Sequence, residues 1–302
     1  HGYRPRFAVG VVAGSSVLGM LIPPSLLMVL YGYLSNQSVG DLFTAGVLPG
    51  TVLAVAFSVG IVLMASWRPG LVYAGSAADQ VPFQPLPPGR LVAKALPGGL
   101  MILVVLGGLY GGLFTATEAA AVSAAAALAM VLCRRGRHLR GVWSDLIETG
   151  HITVSISFLI VCASTYSRML ALSGLPQALM AGLAAFGVGP TGFVFAHVLV
   201  ILVLGMFIDA SSILLIVLPL SLPLASQFGL DLVWFGIVTI VAVEVGLLTP
   251  PFGLSVYVVH SAVNDPEVGL GDVFAGTLPF TLIMLVVLAL LIAFPSISLA
   301  LL

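Results

Sequence analysis

One carboxylate stands in the middle of a long apolar segment, where it could bind a cation. Asp209 lies in the stretch 205–215, GMFIDASSILL, and Ser211 and Ser212 follow it closely. A carboxylate at the centre of a membrane-spanning helix costs about 2.5–3.5 kcal/mol, so it needs a partner. Carboxylate, hydroxyl and carbonyl oxygens form the shell that hard cations such as Na⁺ prefer. Asp209 therefore predicts a cation site. It also fits the N-cap of the following helix, and at a hairpin tip both roles are compatible.

Two Pro-Pro pairs interrupt other apolar segments. Residues 19–29 read GMLIPPSLLMV and residues 246–256 read GLLTPPFGLSV, with the same residue at six of eleven positions. Proline breaks the hydrogen-bond ladder of a helix, and in lipid each unpaired backbone group costs several kcal/mol. Such a break persists where it lines a polar cavity, in which freed carbonyls bind a cation and helix N-termini face an anion. A proline kink explains one break, whereas two related breaks favour a binding site.

The composition places these residues in a membrane. Hydrophobic residues make up 60% of the chain and charged residues 7%, and the mean hydropathy is +1.21. Continuous apolar runs of about 20 residues recur, which predicts an all-α polytopic membrane protein. The sequence has no basic, aromatic-rich patch for nucleic acid, no zinc-type Cys/His spacing and no nucleophile or phosphate-loop motif. We therefore expect neither an enzyme nor a cofactor.

Eight apolar segments position the candidate residues, and the basic residues orient them. The segments are residues 8–34, 42–66, 97–114, 117–133, 151–172, 190–226, 233–262 and 273–293. Arginine and lysine cluster before the first segment, within 67–96 and directly after residue 133, so these parts are predicted to be cytoplasmic. Segment 190–226 either crosses the membrane twice or forms a re-entrant hairpin with Asp209 at its tip. In both cases the two Pro-Pro segments run in opposite directions.

A second repeated motif supports an inverted repeat. GDLFTAGVLP at 40–49 follows the first Pro-Pro segment, and GDVFAGTLP at 271–279 follows the second. Inverted repeats with paired discontinuous helices are typical of secondary transporters. Residues 1–66 are predicted to end the first repeat, with broken helix 8–34 and scaffold helix 42–66, and 67–96 to form a cytoplasmic linker loop. Residues 97–302 form the second repeat: scaffold helices 97–133, helix 151–172, hairpin 190–226, broken helix 233–262 and last helix 273–293. The repeat offset predicts a first repeat that starts roughly 130 residues before His1.

Four long motifs resemble one transporter family. They are GMLIPPSLLMVLYG, GGLFTATEAAAV, GMFIDASSILLIVLPLSLP and FGIVTIVAVEVGLLTPPFGLSVYV. The chain resembles the last two-thirds of the large membrane (M) subunit of tripartite ATP-independent periplasmic (TRAP) transporters, without the N-terminal third. The resemblance implies an elevator-type fold in which 8–34, 190–226 and 233–262 move against a scaffold of 42–66, 97–133 and 273–293.

The same resemblance implies a function. Such subunits use a Na⁺ gradient to import small organic acids, such as C4-dicarboxylates or sialic acid, across the bacterial inner membrane. The implied partners are a small membrane (Q) subunit and a periplasmic substrate-binding (P) protein, and the coupling ion is Na⁺.

The candidate site residues lie at the two breaks and around Asp209. For sodium we predict Gly205, Asp209, Ser211, Ser212, Thr249, Pro250, Gly253, Gly19 and Pro23. For the organic acid we predict Ser15, Ser16, Pro24, Ser25 and Pro251. Glu244 lies just before the second break, and functional and structural roles stay open for it.

Two alternative functions remain from the sequence. One is an ion-coupled carrier of carboxylates or other anions that needs no binding protein. The other is an intramembrane aspartyl protease, because GLGD at 269–272 resembles the motif of such enzymes. A protease would require Asp209 and Asp272 to face one another.

Overall fold

The described part of the protein is helical. The computed structural model describes residues 2–73, 87–135, 139–263, 265 and 268–302. The helices are α1 (Pro5–Ser16), α2 (Leu18–Leu21), α3 (Leu26–Ser35), α4 (Val39–Trp67), α5 (Pro69–Val72), α6 (Pro88–Tyr110), α7 (Ala116–Arg135), α8 (Leu139–Leu172), α9 (Leu175–Ala185), α10 (Pro190–Gly205), α11 (Ala210–Gln227), α12 (Leu232–Leu248), α13 (Leu254–Val263), α14 (Leu270–Ala293) and α15 (Ser296–Leu299). They form two compact units. The first holds the described residues up to Tyr73 and from Ser167 onward, and the second holds those from 87 to Tyr166.

Several helices are long and apolar enough to span a membrane. Among the described residues there are four such helices, or up to six if each bent helix pair counts as one span. One bent pair is the first Pro-Pro segment, in which residues 5–21 and 26–35 meet at 40°. This confirms an all-α, multi-pass membrane protein.

Both Pro-Pro segments are broken helices in the first unit. The helical part stops at Leu21 and resumes at Leu26 in one segment, and stops at Leu248 and resumes at Leu254 in the other. The Pro23–Pro24 and Pro250–Pro251 peptide bonds are both cis. Each segment thus has a 17-residue helical stretch before its break, counting α1 and α2 together, and a ten-residue helix after it.

Glycine allows α1 and α14 to pack side by side in the same direction. A Cβ at Gly10 would overlap Gly276, and a Cβ at Gly14 would lie 2.5 Å from the Phe280 ring. Both contacts advance together along the two helices, so α1 and α14 are parallel. Any larger side chain at Gly10 or Gly276 would separate them, because the backbone of one helix occupies the space of a methyl group on the other.

The second broken helix is antiparallel to α14. Trp234, near the start of α12, donates a hydrogen bond from Nε1 to the carbonyl of Leu291, near the end of α14, at 2.8 Å. The buried side chain of Tyr31 donates a hydrogen bond from its hydroxyl to the carbonyl of Leu232 at 2.6 Å, which joins the middle of α3 to the start of α12. Because α1 runs with α14 and α12 runs against it, the two broken helices have opposite orientations. This is the arrangement that an inverted repeat requires.

Helices α10 and α11 form a hairpin that packs on α12. The rings of Phe193 and Phe235 stack with centroids 6.0 Å apart near the helix starts, and Gly205 contacts Gly246 near the ends, so α10 is parallel to α12. α10 has 16 residues and is about 24 Å long. The second broken helix continues past the Gly205–Gly246 contact and includes α13, which has ten residues and is about 15 Å long. The hairpin turn at 206–209 therefore stops short of the end of that span, which favours a re-entrant hairpin over two crossings.

The second unit contains α6, α7 and most of α8, and here two predicted boundaries were wrong. α6 begins at Pro88, inside the predicted loop 67–96, and continues through Pro97, which we expected to mark a boundary. Proline is readily accommodated at the first helical position, so Pro88 starts the helix. α8 begins at residue 139 rather than 151, because its first three turns mix apolar with polar and charged residues and so form no continuous apolar run. In the first unit the short helix α5 also occupies part of the predicted loop. Residues 74–86 of that loop lie outside the described residues.

Candidate functional site

A cavity joins the hairpin tip to both helix breaks. It has a volume of about 640 Å³ and lies entirely within the first unit. Its lining comes from the first broken helix, the hairpin tip and the second broken helix: Ser16, Gly19, Met20, Pro24, Leu26, Leu27, Asp209, Ala210, Ser211, Leu247, Leu254, Ser255, Val258 and Val259. The structure therefore brings together five predicted site residues, namely Gly19, Asp209 and Ser211 from the sodium set and Ser16 and Pro24 from the substrate set.

Asp209 both caps a helix and faces the cavity. Its Oδ2 accepts the N–H of Ser212 at 3.0 Å, and its Oδ1 accepts the hydroxyl of the same serine. These bonds fix the carboxylate at the N-terminus of α11, where the helix dipole favours negative charge. Each carboxylate oxygen has a further lone pair, and the side chain is exposed, so Asp209 can still accept a cation. The N-cap interpretation is confirmed, and it coexists with a position in the cavity wall.

Helix ends of both polarities meet at this cavity. The first residues of three helices line it: Leu26 and Leu27 of α3, Ala210 and Ser211 of α11, and Leu254 and Ser255 of α13. The first N–H groups of a helix lack intrahelical acceptors, so these ends favour an anion. The last turns of α2 and α12 contribute Met20 and Leu247, and their carbonyl ends favour a cation. The carbonyl ends and Asp209 suit a cation, and the helix N-termini suit a carboxylate. One cavity therefore has groups for both, side by side.

Two predicted site residues repair the backbone at the breaks. The hydroxyl of Ser25 accepts the N–H of Met28 at 3.4 Å and donates to the carbonyl of Met20, so it links α3 to α2 across the first break. The hydroxyl of Thr249 donates to the carbonyl of Val245 at 2.7 Å at the end of α12. These bonds satisfy backbone groups next to the two breaks, which lowers the cost of each break.

The remaining predicted residues do not line the cavity. They are Ser15, Pro23, Ser25, Gly205, Ser212, Thr249, Pro250, Pro251 and Gly253. Gly205 instead packs on Gly246, where an added Cβ would lie 2.7 Å from the opposite Cα. Gly253 adopts a left-handed backbone conformation with φ of 53° in the second break, which glycine accommodates without steric cost. Their positions indicate roles in shaping the breaks and the hairpin.

Ser255 is a cavity residue that sequence reasoning missed. Ser255 and Ser211 both line the cavity, and neither hydroxyl has a hydrogen-bond partner among the described residues. The sequence carried a signal, since Ser255 is the one serine or threonine in the first turn after the second break. The rest of the lining is largely apolar, with Met20, Leu27 and Val258 among the contributors.

Glu244 is fully buried one turn before the second break. Neither carboxylate oxygen has a hydrogen-bond partner among the described residues, and the side chain has no exposed surface. It is not part of the cavity lining. His197, by contrast, is buried with a partner, since its Nε2 lies 3.0 Å from the hydroxyl of Thr239. Burial without a partner makes Glu244 costly for the fold.

The protease interpretation is wrong. Asp272 accepts the N–H of Gly269 at 3.2 Å in the first turn of α14, and it is absent from the cavity lining that contains Asp209. An aspartyl protease needs two facing carboxylates, and these two serve different helix N-termini.

Comparison with known proteins identifies the family. A sequence profile described as "Tripartite ATP-independent periplasmic transporter, DctM component" matches residues 1–297. This chain belongs to the DctM family. As a DctM-family protein it is a TRAP transporter permease component and not an enzyme. The predicted family is thereby confirmed.

Three relatives of this DctM-family chain are named for three different kinds of solute. The chain is 35% identical over 305 residues to the C4-dicarboxylate TRAP transporter large permease protein of Pseudomonas aeruginosa. It is 33% identical over 300 residues to the sialic acid TRAP transporter large permease protein of Vibrio cholerae. It is 31% identical over 304 residues to the ectoine/5-hydroxyectoine TRAP transporter large permease protein of Ruegeria pomeroyi. Each alignment covers 99% of this chain and 68% of the relative.

Proposed function

We propose that this chain forms the Na⁺-coupled part of a TRAP permease that imports a small organic acid. The observation that carries the proposal is the position of Asp209, which shares one cavity with both helix breaks. The cavity volume of about 640 Å³ is within the usual range for small-molecule sites. Relatives named for C4-dicarboxylates and for sialic acid support an acidic solute. The proposed partners are a small membrane subunit and a periplasmic binding protein, and the proposed location is a bacterial inner membrane.

The charge of the cavity explains why the solute would need a cation. Asp209 is the only charged side chain among the lining residues that the structure describes. A substrate carboxylate about 5 Å from Asp209 would be repelled by about 3 kcal/mol at an effective dielectric constant of about 20. A Na⁺ ion on Asp209 and the carbonyl ends of α2 and α12 would cancel this repulsion. The substrate carboxylate could then bind the helix N-termini, so substrate binding would require the ion.

This order of binding couples the two fluxes. A cavity that accepts the organic acid only with Na⁺ bound cannot carry the acid alone, and the ion gradient then drives accumulation. The elevator-like movement that the family resemblance implies stays a prediction.

A matched pair of substitutions tests the role of Asp209. Asn caps helices as well as Asp, so Asp209→Asn keeps the hydrogen bond to the start of α11 and removes only the charge. Asp231 is the control, because it caps α12 in the same way and its carboxylate accepts the N–H of Trp234 at 2.8 Å. It does not line the cavity. In the complete reconstituted transporter, we expect Asp209→Asn to abolish Na⁺-driven uptake and Asp231→Asn to retain it.

The measurement is uptake of the radiolabelled acid into proteoliposomes at several Na⁺ concentrations. A shift of the Na⁺ dependence to higher concentration in Asp209→Asn would also support a direct ion contact. Uptake by Asp209→Asn with unchanged rate and unchanged Na⁺ dependence would refute the proposed ion site.

A further inference from the structure

A second cleft lies at the opposite end of α1 from the Pro-Pro break. Its volume is about 340 Å³, and it lies between the start of α1, the end of α4 and α5. The lining is apolar or aromatic: Tyr3, Phe7, Ala8, Val11, Ile61, Ala65, Val72 and Tyr73. None of these residues lines the cavity that contains Asp209.

Backbone pairing holds the cleft together. Tyr3 and Tyr73 form an isolated antiparallel bridge, and their rings stack with centroids 5.5 Å apart. The N–H of Arg4 donates to the carbonyl of Val72 at 2.8 Å. The chain before α1 is therefore fixed to the chain after α5, and the rim of the cleft has a defined shape.

Two arginines lie close along the chain to residues that line this cleft. Arg4 adjoins Tyr3, and Arg68 lies between Ala65 of α4 and Val72 of α5; both arginines are exposed. The Arg4 guanidinium makes one hydrogen bond, from Nε to the carbonyl of Tyr73 at 3.4 Å, and its other donors are free. Neither arginine has an ion-pair partner among the described residues.

The nearby acidic residues are occupied or distant, and the nearby aromatic residues are exposed. Asp41 is the one acidic residue within positions 2–73, and it lies in the first turn of α4, whereas the cleft is at the end of that helix. Asp272 caps its own helix through the N–H of Gly269. Trp67 is 79% exposed and Tyr3 is 50% exposed, as is typical of aromatic side chains at the membrane interface.

We propose that this cleft binds one anionic phospholipid. The phosphate contacts the guanidinium groups of Arg4 and Arg68, and one acyl chain lies along Phe7, Val11 and Ile61. Basic pockets between membrane helices are suited to anionic headgroups, and an apolar groove below the charges distinguishes a lipid from free phosphate. The bound lipid would bridge the start of α1 and the end of α4, which both pack against α14.

Native mass spectrometry of the detergent-purified chain tests the headgroup contact. Phosphatidylglycerol and phosphatidylcholine with identical acyl chains are added in equal amounts, and the bound fraction of each is measured. We expect preferential retention of phosphatidylglycerol, reduced on the order of tenfold by Arg4→Gln or Arg68→Gln, since each arginine near anionic lipid contributes substantially to binding. Arg168→Gln is the control, because Arg168 is also exposed and lies outside the cleft.

Equal retention of both lipids would overturn the proposal, as would an equal loss in Arg168→Gln. A filling variant tests the acyl-chain contact separately. Ala65→Phe occupies the cleft and leaves both arginines, so phosphatidylglycerol retention should fall. Val62→Phe lies on the same helix at a position that is 62% exposed and outside the cleft, so it should not change retention. Normal lipid retention in Ala65→Phe would refute the groove as the acyl site.

A photo-crosslinking residue at Ile61 identifies the occupant in membranes that contain the complete transporter. An adduct with the mass of a phospholipid supports the proposal. An adduct with a polypeptide overturns it and assigns the cleft to a protein partner.

Discussion

The contact between Gly205 and Gly246 predicts that Gly246→Ala loosens the hairpin from the second broken helix. A Cβ at Gly246 would lie 2.7 Å from the Cα of Gly205 and 3.1 Å from the carbonyl oxygen of Leu202. These atoms belong to the backbone of α10, so no side-chain rotation can relieve the clash. Ordinary contact begins at 3.4 Å, and α10 and α12 would have to separate by about 1 Å.

The surroundings leave little room for that separation. Every residue of α12 from Val233 to Leu248 is buried. Overpacking of a filled core costs about 1–3 kcal/mol, whereas replacing glycine by alanine within a helix gains about 0.5–1 kcal/mol. We therefore expect Gly246→Ala to lower the free energy of unfolding by about 1–2 kcal/mol.

The first Pro-Pro motif supplies the control. Gly19 occupies the position in the first Pro-Pro motif that Gly246 occupies in the second, and a Cβ at Gly19 would meet no atom within 4 Å. Gly19→Ala should leave stability unchanged or raise it slightly, because it gains helix propensity without a clash.

The assay is thermal unfolding of the detergent-purified chain, followed by tryptophan fluorescence at one scan rate. Trp234 lies in α12 and reports on the affected helix. A midpoint for Gly246→Ala equal to that of the unsubstituted chain would refute the packing argument. An equal loss in Gly19→Ala would show that the effect does not come from the contact with α10.

Three further outcomes follow from other buried and cavity-lining groups. Glu244→Met should raise the thermal midpoint by removing a buried carboxyl without a partner, a gain of about 1–3 kcal/mol, and a lower midpoint would indicate that a bound group satisfies Glu244. Tyr31→Phe should destabilise the chain by about 0.5–1.5 kcal/mol in chemical unfolding, because the carbonyl of Leu232 loses its hydroxyl donor, and no change would contradict that bond. Ser255→Ala should weaken Na⁺-dependent substrate binding in the complete transporter by up to about tenfold, as measured by calorimetric titration. Ser226→Ala lies outside the cavity and should not weaken binding, and equal effects of the two substitutions would contradict a cavity role for Ser255.

Prediction from sequence succeeded where the signal is local. The N-cap role of Asp209 follows from its neighbours within three residues, and the breaks follow from the proline pairs themselves. Prediction failed at Pro88 and Pro97, because proline marks a helix start at one position and lies inside a helix at the other. Only the contacts of the surrounding helix distinguish these two cases.

The local sequence predicted the candidate site only in part. Ser25 and Thr249 have the right side chains at the right breaks, yet their hydroxyls repair backbone groups and lie outside the cavity wall. Ser255 follows the second break closely in sequence, but only the structure shows that the start of α13 lines the cavity.

The sequence by itself determined the membrane class, the two related breaks and the carboxylate of Asp209 within an apolar segment, because apolar run length, proline and charge act locally. Only the tertiary structure decided that Asp209 meets both breaks in one cavity, that Gly205 packs on Gly246, and that Glu244 is buried without a partner. Asp209 and the first break are nearly 190 residues apart along the chain. Their meeting in one cavity depends on how the helices pack, and a local pattern carries no information about that packing.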